Sequence, residues 1–318
     1  MERQVSKVKK VLYKIQDGML LASVYDTIMK KTKYRDKRLA PIYNTMISQK
    51  HRMHYYKKFK KIFLKKCTQN MDYLNKEKVI HNDKVYVLWY DGIENAPDLV
   101  KICAKSLKEN IKNKEIIFLD DSNIFDYITL PDFIMEKYKK GIIGPAHLSD
   151  LIRLELLINY GGYWIDSTVL CTDSKMLDII DKQGLFMYSF YYFGFNPEIM
   201  ELNNWFIHSE TNNNILCLMR DFIIEYWKRY DRPVNYFFFQ IFLTIATEYF
   251  DEEYKKMPIV SQVDSHVLAT YIFDQFDEDK YNLLKQSTGF HKLSTRFDEN
   301  GKKLKGTFYD VIVNEGRY

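Results

Sequence analysis

The chain has 318 residues, 46% of them hydrophobic, and its formal net charge at pH 7 is +5. With only 12 Gly and 7 Pro it has little room for a disordered linker, so the composition predicts a soluble globular protein. Four widely spaced Cys, with no C-x-x-C pair, argue against a disulfide framework and a structural zinc site and indicate a reducing, cytoplasmic setting.

Residues 1–75 carry most of the positive charge, with 19 Lys and Arg against 5 Asp and Glu, so the rest of the chain is acidic overall. Apolar residues recur here at helical spacing, and the stretch from Tyr55 to Lys66 is amphipathic and cationic. We interpret residues 1–75 as a basic helical N-terminal extension, either attached to an anionic membrane surface or packed as a solvated appendage. Nucleic-acid binding is not expected, because no recognition motif of the usual kinds is present.

From about Lys84 the sequence alternates between short strands and helices. K-V-Y-V-L-W-Y predicts a first strand, a helix runs from near Ala96 to Asn110, and E-I-I-F-L-D-D predicts a second strand. Two helices, the second from Ala146 to Tyr160, and the strand Y-W-I-D follow. This order predicts an α/β domain over residues 76–318 with a mainly parallel central sheet, which binds ligands at the carboxyl ends of its strands.

The C-terminal half is less regular. G-L-F-M-Y-S-F-Y-Y-F and N-N-W-F-I-H-S predict strands, and residues 212–230 a long helix. V-N-Y-F-F-F-Q-I-F-L-T-I-A-T-E-Y-F predicts an apolar helix of about seventeen residues. A membrane span would need roughly 20 apolar residues, and this run contains Gln240, so a buried core helix is the preferred interpretation.

The stretch S-D-L-I-R-L-E-L-L-I-N-Y-G-G-Y-W-I-D-S-T-V, which begins at residue 149, concentrates the polar residues best suited to chemistry. On a helix, Asp150 and Arg153 are three residues apart and share a face. The double glycine ends the helix and lets the chain turn sharply, so the next strand delivers Asp166 at its carboxyl end. The three side chains are therefore expected to converge in one cleft.

Such a cluster suits a nucleoside diphosphate sugar. Carboxylates accept hydrogen bonds from sugar hydroxyls, an arginine neutralises a diphosphate, and a divalent metal needs a hard carboxylate oxygen. Taken singly, Asp150 and Arg153 could form a surface ion pair, and Asp166 could cap a strand end. Together with the double glycine, the spacing favours a donor site.

The segment S-D-L-I-R-x-x-L-L-x-x-Y-G-G-Y-W-I-D-S-T resembles the capsular polysaccharide synthesis protein family, which is related to glycosyltransferases with a DxD sugar-binding region. Further blocks are similar to that family upstream, in L-W-Y-D-G-I-E-N-A-P-D-L-V-K-I-C-A-K-S-L, and downstream, in L-N-N-W-F-I-H-S-E, D-S-H-V-L and G-F-H-K-L-S. The resemblance covers roughly residues 84–294. It implies a GT-A type glycosyltransferase fold, which is Rossmann-like.

The resemblance also implies roles for individual residues. Asp150 and Arg153 would contact the donor sugar and its diphosphate, and Asp166, as the first acid of the DxD motif, would contact ribose and metal. Trp89 and Tyr90, at the end of the first strand, would lie near the nucleotide base.

The sequence departs from the DxD pattern at Thr168, where the second acid is expected. A hydroxyl is a poor substitute for a carboxylate, so the expected Mn²⁺ or Mg²⁺ would be held by Asp166 with help from His291 or Ser294 of G-F-H-K-L-S, or would bind weakly. His291 has a second interpretation, as a core or surface histidine.

Other polar residues are weaker candidates. A sugar acceptor could meet Asn203, Asn204 and Trp205, although a tryptophan there is equally typical of packing. Glu201 and Glu210 are candidates for a general base if the reaction inverts configuration. His266 is better interpreted as a core or surface histidine than as a ligand.

The sequence thus predicts a nucleotide-sugar-dependent glycosyltransferase, acting on a capsular or other surface polysaccharide or a lipid-linked glycan. We expect it in the cytoplasm, with peripheral attachment to the inner face of the cell membrane through residues 1–75. The main alternative is a non-catalytic glycan-binding scaffold, a decayed transferase, which the D-S-T departure favours. A phosphohydrolase with Asp166 as nucleophile is a remote third, because its usual D-x-D motif is also incomplete.

Overall fold

A computed structural model of the protein describes residues 7–32, 40–80, 83–190 and 202–318. Its α-helices are α1 (Lys7–Gln16), α2 (Leu20–Thr32), α3 (Ala40–Phe59), α4 (Lys65–Cys67), α5 (Asp98–Asn110), α6 (Ile124–Tyr127), α7 (Asp132–Lys139), α8 (Pro145–Tyr160), α9 (Leu177–Ile180), α10 (Asn214–Arg229), α11 (Phe238–Tyr249), α12 (Asp251–Tyr254), α13 (Val263–Tyr271) and α14 (Glu278–Ser287). Its strands are β1 (Lys84–Leu88), β2 (Glu115–Leu119), β3 (Gly162–Ile165), β4 (Val169–Cys171), β5 (Leu185–Ser189), β6 (Leu202–Ser209) and β7 (Phe290–Lys292).

A five-stranded sheet with the order β2-β1-β3-β6-β5 forms the centre of the molecule. Strands β1, β2 and β3 are parallel, β6 is antiparallel to β3, and β5 is antiparallel to β6. Strand β5 therefore runs in the same direction as the first three, and only β6 is reversed. The predicted mixed α/β architecture with a parallel-rich sheet is confirmed.

The sheet is buried on both faces, as parallel sheets require. One face packs on the largest apolar cluster, to which α8, α10 and α11 contribute; the other packs on a smaller cluster that includes Leu107 of α5 and Leu177 of α9. A two-stranded antiparallel sheet, β4–β7, lies beyond the end of β3. This small sheet was not predicted, because each strand has only three residues.

The N-terminal helices continue into this core. Tyr55, Phe59, Phe63 and Cys67, spaced four apart, are all buried in the largest cluster, and Phe59 stacks on Phe242 of α11 with ring centroids 4.8 Å apart. The exposed side of the segment is formed by Lys57, Lys61, Lys65 and Lys66. The predicted division at residue 75 therefore does not coincide with a break in the packing.

The long apolar helix is shorter than predicted. Helix α11 has 12 residues, and the chain before it, from residue 231 to residue 237, is not helical. Within the described ranges, no helix combines the length and the apolar character needed to cross a membrane.

Candidate functional site

A cavity of about 470 Å³ opens at the carboxyl ends of β1 and β3. The predicted donor-site residues all line it: Trp89, Tyr90, Asp150, Arg153 and Asp166. Thr168, the other end of the D-S-T motif, lines it as well. The chain thus forms its site where open α/β sheets usually bind ligands.

Arg153 lies at the base of the cavity and is almost fully buried, with 5% of its surface exposed. Its Nη1 donates to the backbone carbonyl of Asn204 at 2.9 Å, and its Nε donates to the carbonyl of Ser149 at 3.2 Å. The guanidinium also lies over the ring of Trp164, 4.8 Å from the centroid. These contacts fix the group while leaving it beside the cavity, an arrangement suited to an anion.

Asp150 faces Arg153 from the same side of α8, with its Oδ1 3.4 Å from Arg153 Nη1. The carboxylate also accepts a hydrogen bond from Asn204 Nδ2 at 3.0 Å and lies 3.6 Å from His147 Nδ1. Because Asp150 is only 6% exposed, the pair is not a surface ion pair.

Two glycines turn the chain from α8 into β3. Gly161 has φ 68° and ψ −162°, and Gly162 has φ 86°. Side chains rarely adopt such angles, and the Gly161 conformation is essentially confined to glycine. The tight turn lets β3 run back beside β1 and places Asp166 directly after its last residue.

Asp166 lies among positive charges. Its Oδ2 accepts a hydrogen bond from Lys292 Nζ at 3.0 Å, its Oδ1 accepts one from Trp164 Nε1 at 2.9 Å, and Arg153 Nη2 lies 4.0 Å from Oδ1. Burial opposes the ionisation of this carboxyl, but the charges of Lys292 and Arg153 outweigh it and lower its pKa below the usual value. Asp166 is therefore a carboxylate at neutral pH.

Aromatic residues form the entrance to the cavity. Trp89 and Tyr90 follow β1, and the Tyr90 hydroxyl donates to the carbonyl of Pro145 at 2.8 Å. On another side of the cavity, Tyr236 is 60% exposed. The flat, exposed ring of Tyr236 suits stacking on a base or a sugar ring, whereas Trp89 and Tyr90 are half-buried.

The chain that forms this cavity matches a known protein family. The model of the family described as "Capsular polysaccharide synthesis protein" matches residues 36–312, which is most of the chain and includes every residue of the cavity. The chain belongs to the capsular polysaccharide synthesis protein family.

Two further comparisons accompany this assignment. Among solved structures, the chain is similar to one titled "PaToxG Glycosyltransferase", with 15% sequence identity and a TM-score of 0.42, over 83% of this chain and 98% of that one. Among curated proteins, no sequence matches it. The resemblance to the family, expected from the motif around Asp166, is confirmed, whereas a DxD motif is not shown.

In this capsular polysaccharide synthesis protein, two of the residues expected to share a metal ion, Asp166 and His291, do not come together. His291 is fully buried, its Nε2 lies 3.1 Å from Thr172 Oγ1, and burial lowers its pKa to about 4. Ser294 accepts a hydrogen bond from its neighbour Arg296. In the part of the chain that the structure describes, no three His, Cys, Asp or Glu are grouped to hold a metal, so these residues do not fit the expected ion.

Of the three residues proposed for the acceptor side, only one lines the cavity. Asn204 lines the cavity and links Asp150 to Gln240, whose Nε2 donates to Asn204 Oδ1 at 3.2 Å. Asn203 is buried against Gln262, and Trp205 is 4% exposed and stacks on Tyr188 with centroids 4.7 Å apart. Trp205 is thus a packing residue and does not line the cavity.

Two of the remaining candidates, Glu210 and His266, do not line the cavity either. Glu210 lies near Lys78, with an Oε1–Nζ distance of 3.8 Å, and burial raises its pKa. His266 packs edge-on against Trp205, and burial lowers its pKa. Glu201 falls outside the described residues. Of the two predicted general bases, the structure describes only Glu210, and Glu210 does not line the cavity.

Sequence reasoning missed two residues that complete the family member's site. Lys292, adjacent to the candidate His291, donates hydrogen bonds to both Asp166 and Thr168. The available signal in the sequence was strand alternation: neighbouring side chains in a strand face opposite sides, so if His291 pointed away from the site, Lys292 would point towards it. His147 lies against Asp150 one turn earlier on α8. A three-residue spacing to Asp150 was its only signal.

Proposed function

We propose that this protein is a glycosyltransferase of GT-A type that moves a sugar from a nucleotide-sugar donor to a surface polysaccharide or a lipid-linked glycan. The observation that carries the proposal is the convergence of Asp150, Arg153 and Asp166 in one cavity at the carboxyl ends of parallel strands. Membership of the capsular polysaccharide synthesis family supports the glycan acceptor.

Each group in the cavity has a task in this reaction. Arg153 binds the donor diphosphate, which becomes more negative as it leaves, and buried, fixed cations stabilise such charge strongly. Asp150 and Asp166 accept hydrogen bonds from sugar and ribose hydroxyls. Trp89 and Tyr90 lie against the base, while the exposed ring of Tyr236 offers a stacking surface to a sugar at the open side.

The test is a screen of UDP-, GDP-, ADP- and CMP-sugars by thermal shift, followed by hydrolysis assays on every donor that binds. A bound donor at a hundred times its dissociation constant adds about 2.7 kcal/mol of stability, so even modest ligands raise the melting temperature. We expect Asp166→Ala to abolish turnover, while Asp279→Ala, at an exposed position far along the chain, leaves it unchanged. If no donor binds, or if Asp166→Ala matches wild type, the proposal fails.

A non-catalytic, glycan-binding scaffold is the second candidate, and it is favoured by one observation. Thr168 occupies the position at which a second acid is expected, and its hydroxyl is bonded to Lys292 at 2.5 Å. A scaffold would bind donor or glycan without releasing free nucleotide. Donor binding with no hydrolysis and no transfer to any glycan acceptor would support the scaffold over the enzyme.

We also propose that the N-terminal helices dock on an anionic membrane. Helix α1 exposes Val11, Leu12 and Ile15, and α2 exposes Leu21, Val24 and Ile28; in each helix the spacing places the three on one face, and Leu21 is 84% exposed. Residues 1–75 are strongly basic, so anionic headgroups complement them, each nearby Lys or Arg contributing about 1 kcal/mol.

The turn between these helices is anchored to the rest of the protein. Asp17 is 6% exposed and pairs with Arg232 at 2.7 Å, and the Arg232 guanidinium lies 4.0 Å from the centroid of the Tyr13 ring. The exposed apolar side chains are therefore presented from a fixed turn, as a membrane-docking element requires.

Vesicle sedimentation tests the docking. Wild type should bind vesicles containing phosphatidylglycerol and not pure phosphatidylcholine, and Leu12→Glu/Leu21→Glu should weaken binding at least about 10-fold, because two apolar side chains no longer enter the interface. Leu283→Glu, at a position 65% exposed in α14, is the matched control and should bind as wild type does. Equal binding by the double variant would reject membrane docking. So would size-exclusion chromatography in which wild type elutes as a dimer and the double variant as a monomer, because these side chains would then cover each other.

A further inference from the structure

The two ends of the D-S-T motif share one partner, the ammonium group of Lys292. Its Nζ donates to Asp166 Oδ2 at 3.0 Å and to Thr168 Oγ1 at 2.5 Å. These are the two positions at which a DxD motif offers carboxylates. A cationic side chain therefore lies at the place where the sequence predicts a divalent metal ion.

The backbone fixes Lys292 in this position. Strands β4 and β7 are antiparallel, with Val169 opposite Lys292, and the backbone N–H of Leu293 donates to the Thr168 carbonyl at 2.9 Å. The neighbouring His291 faces the opposite side, where it is fully buried beside Thr172. A shift of one residue would exchange the two side chains, so the sheet register selects the lysine.

The surroundings favour the ammonium over a metal ion. Both oxygens of Asp166 already accept hydrogen bonds, from Trp164 and from Lys292, and Arg153 adds a second positive charge 4.0 Å away. Mg²⁺ needs near-octahedral oxygen ligands, and a hydroxyl in place of the second carboxylate removes one of the two negative charges that would hold it. A divalent ion would also have to displace Lys292 against its repulsion.

We propose that Lys292 takes the place of the divalent cation and that this protein binds its donor diphosphate without metal. This proposal rests on the proposed transferase function. An ammonium has three N–H donors, of which Asp166 and Thr168 use two, so a phosphate oxygen can accept the third. The Lys292 side chain is 20% exposed, so the diphosphate can reach it. Lys292 and Arg153 would then clamp the diphosphate together.

In the transfer, the bond between the anomeric carbon and the β-phosphate oxygen breaks and its electron pair stays on the diphosphate. The acceptor hydroxyl oxygen forms the new bond to that carbon, and its proton passes to solvent. The charge that develops on the leaving oxygen is the charge that Lys292 and Arg153 would stabilise.

Calorimetric titration with UDP and GDP, compared with uridine and guanosine, tests the assignment in buffer with EDTA and in buffer with Mn²⁺ or Mg²⁺. Whichever nucleoside diphosphate binds should bind equally in both buffers. Lys292→Met should weaken that binding by about 10- to 100-fold, the loss expected for a charged hydrogen bond, without changing nucleoside binding. Lys292→Arg should restore most of the affinity, and Lys175→Met, at an exposed lysine, should match wild type.

A gain of function completes the test. Thr168→Asp/Lys292→Ser offers a second carboxylate and removes the competing cation, so nucleotide binding by this variant should become dependent on Mn²⁺. The proposal is overturned if wild type loses nucleotide binding in EDTA. It is also overturned if wild type binds Mn²⁺ alone and Asp166→Ala does not. In both cases the transferase function stands. If neither nucleoside diphosphate binds in either buffer, the role of Lys292 fails, and if no nucleotide sugar binds in the thermal-shift screen either, the transferase function fails with it.

Discussion

The guanidinium of Arg153 joins segments that are far apart in the sequence. It contacts Ser149 and Asp150 on its own helix, the backbone of Asn204 in β6, and the carboxylate of Asp166 after β3. The spacing of Asp150 and Arg153 was readable in the sequence. Their burial was not, because it depends on Asn204, which lies some fifty residues later.

Arg153→Gln should therefore lower both the free energy of unfolding and the affinity for the donor. Removing one partner of a buried ion pair leaves the other charge uncompensated, so we expect a loss of about 3 kcal/mol in the free energy of unfolding, measured by urea denaturation. Arg153→Lys keeps the charge but not the forked geometry of the guanidinium. Its free energy of unfolding should therefore lie between those of wild type and Arg153→Gln. Wild-type stability of Arg153→Gln would show that the pair is not essential to the fold.

The turn between α8 and β3 sets the direction in which Asp166 leaves the sheet. The sequence predicted this turn well, because a double glycine after an apolar helix is a strong local signal. The β4–β7 pairing carried no comparable signal. It joins three-residue strands more than a hundred residues apart, and it alone decides that Lys292, not His291, meets Asp166.

Gly161→Ala should lower the free energy of unfolding by about 1–3 kcal/mol, the strain of placing a side chain at φ 68° and ψ −162°. Gly144→Ala is the matched control: its φ is −83°, a Cβ there meets no atom within 4 Å, and we expect a loss of about 0.5 kcal/mol. Urea denaturation measures both. Equal losses in the two variants would contradict a conformational role for Gly161.

On the scale of the whole molecule, a buried histidine makes the folding stability depend on pH. His208, near the end of β6, is fully buried, and burial lowers its pKa to about 4. As the pH falls below about 6.5, the unfolded chain takes up a proton at this residue and the folded chain does not. Folding stability is therefore lost between pH 6.5 and pH 4.

The contribution of His208 to this loss should reach about 3 kcal/mol at pH 4, because each unit of pKa difference corresponds to about 1.4 kcal/mol. Urea denaturation from pH 7 to pH 4 measures it. His208→Gln cannot take up the proton, so its stability should fall less steeply over this window than that of wild type, whatever its stability at pH 7. Parallel curves for the two proteins would contradict the assignment.

The sequence by itself determined the strands of the central sheet and the main helices around it, the parallel-rich architecture, the family, and three of the charged residues that line the cavity, Asp150, Arg153 and Asp166. Each of these rests on a local signal: periodicity, the i,i+3 spacing or the double glycine. Only the tertiary structure decided that the helix after residue 40 joins the core, that Trp205 packs inside, and that Lys292 lies against Asp166. These depend on contacts between distant segments, and such contacts leave no periodic trace in one sequence.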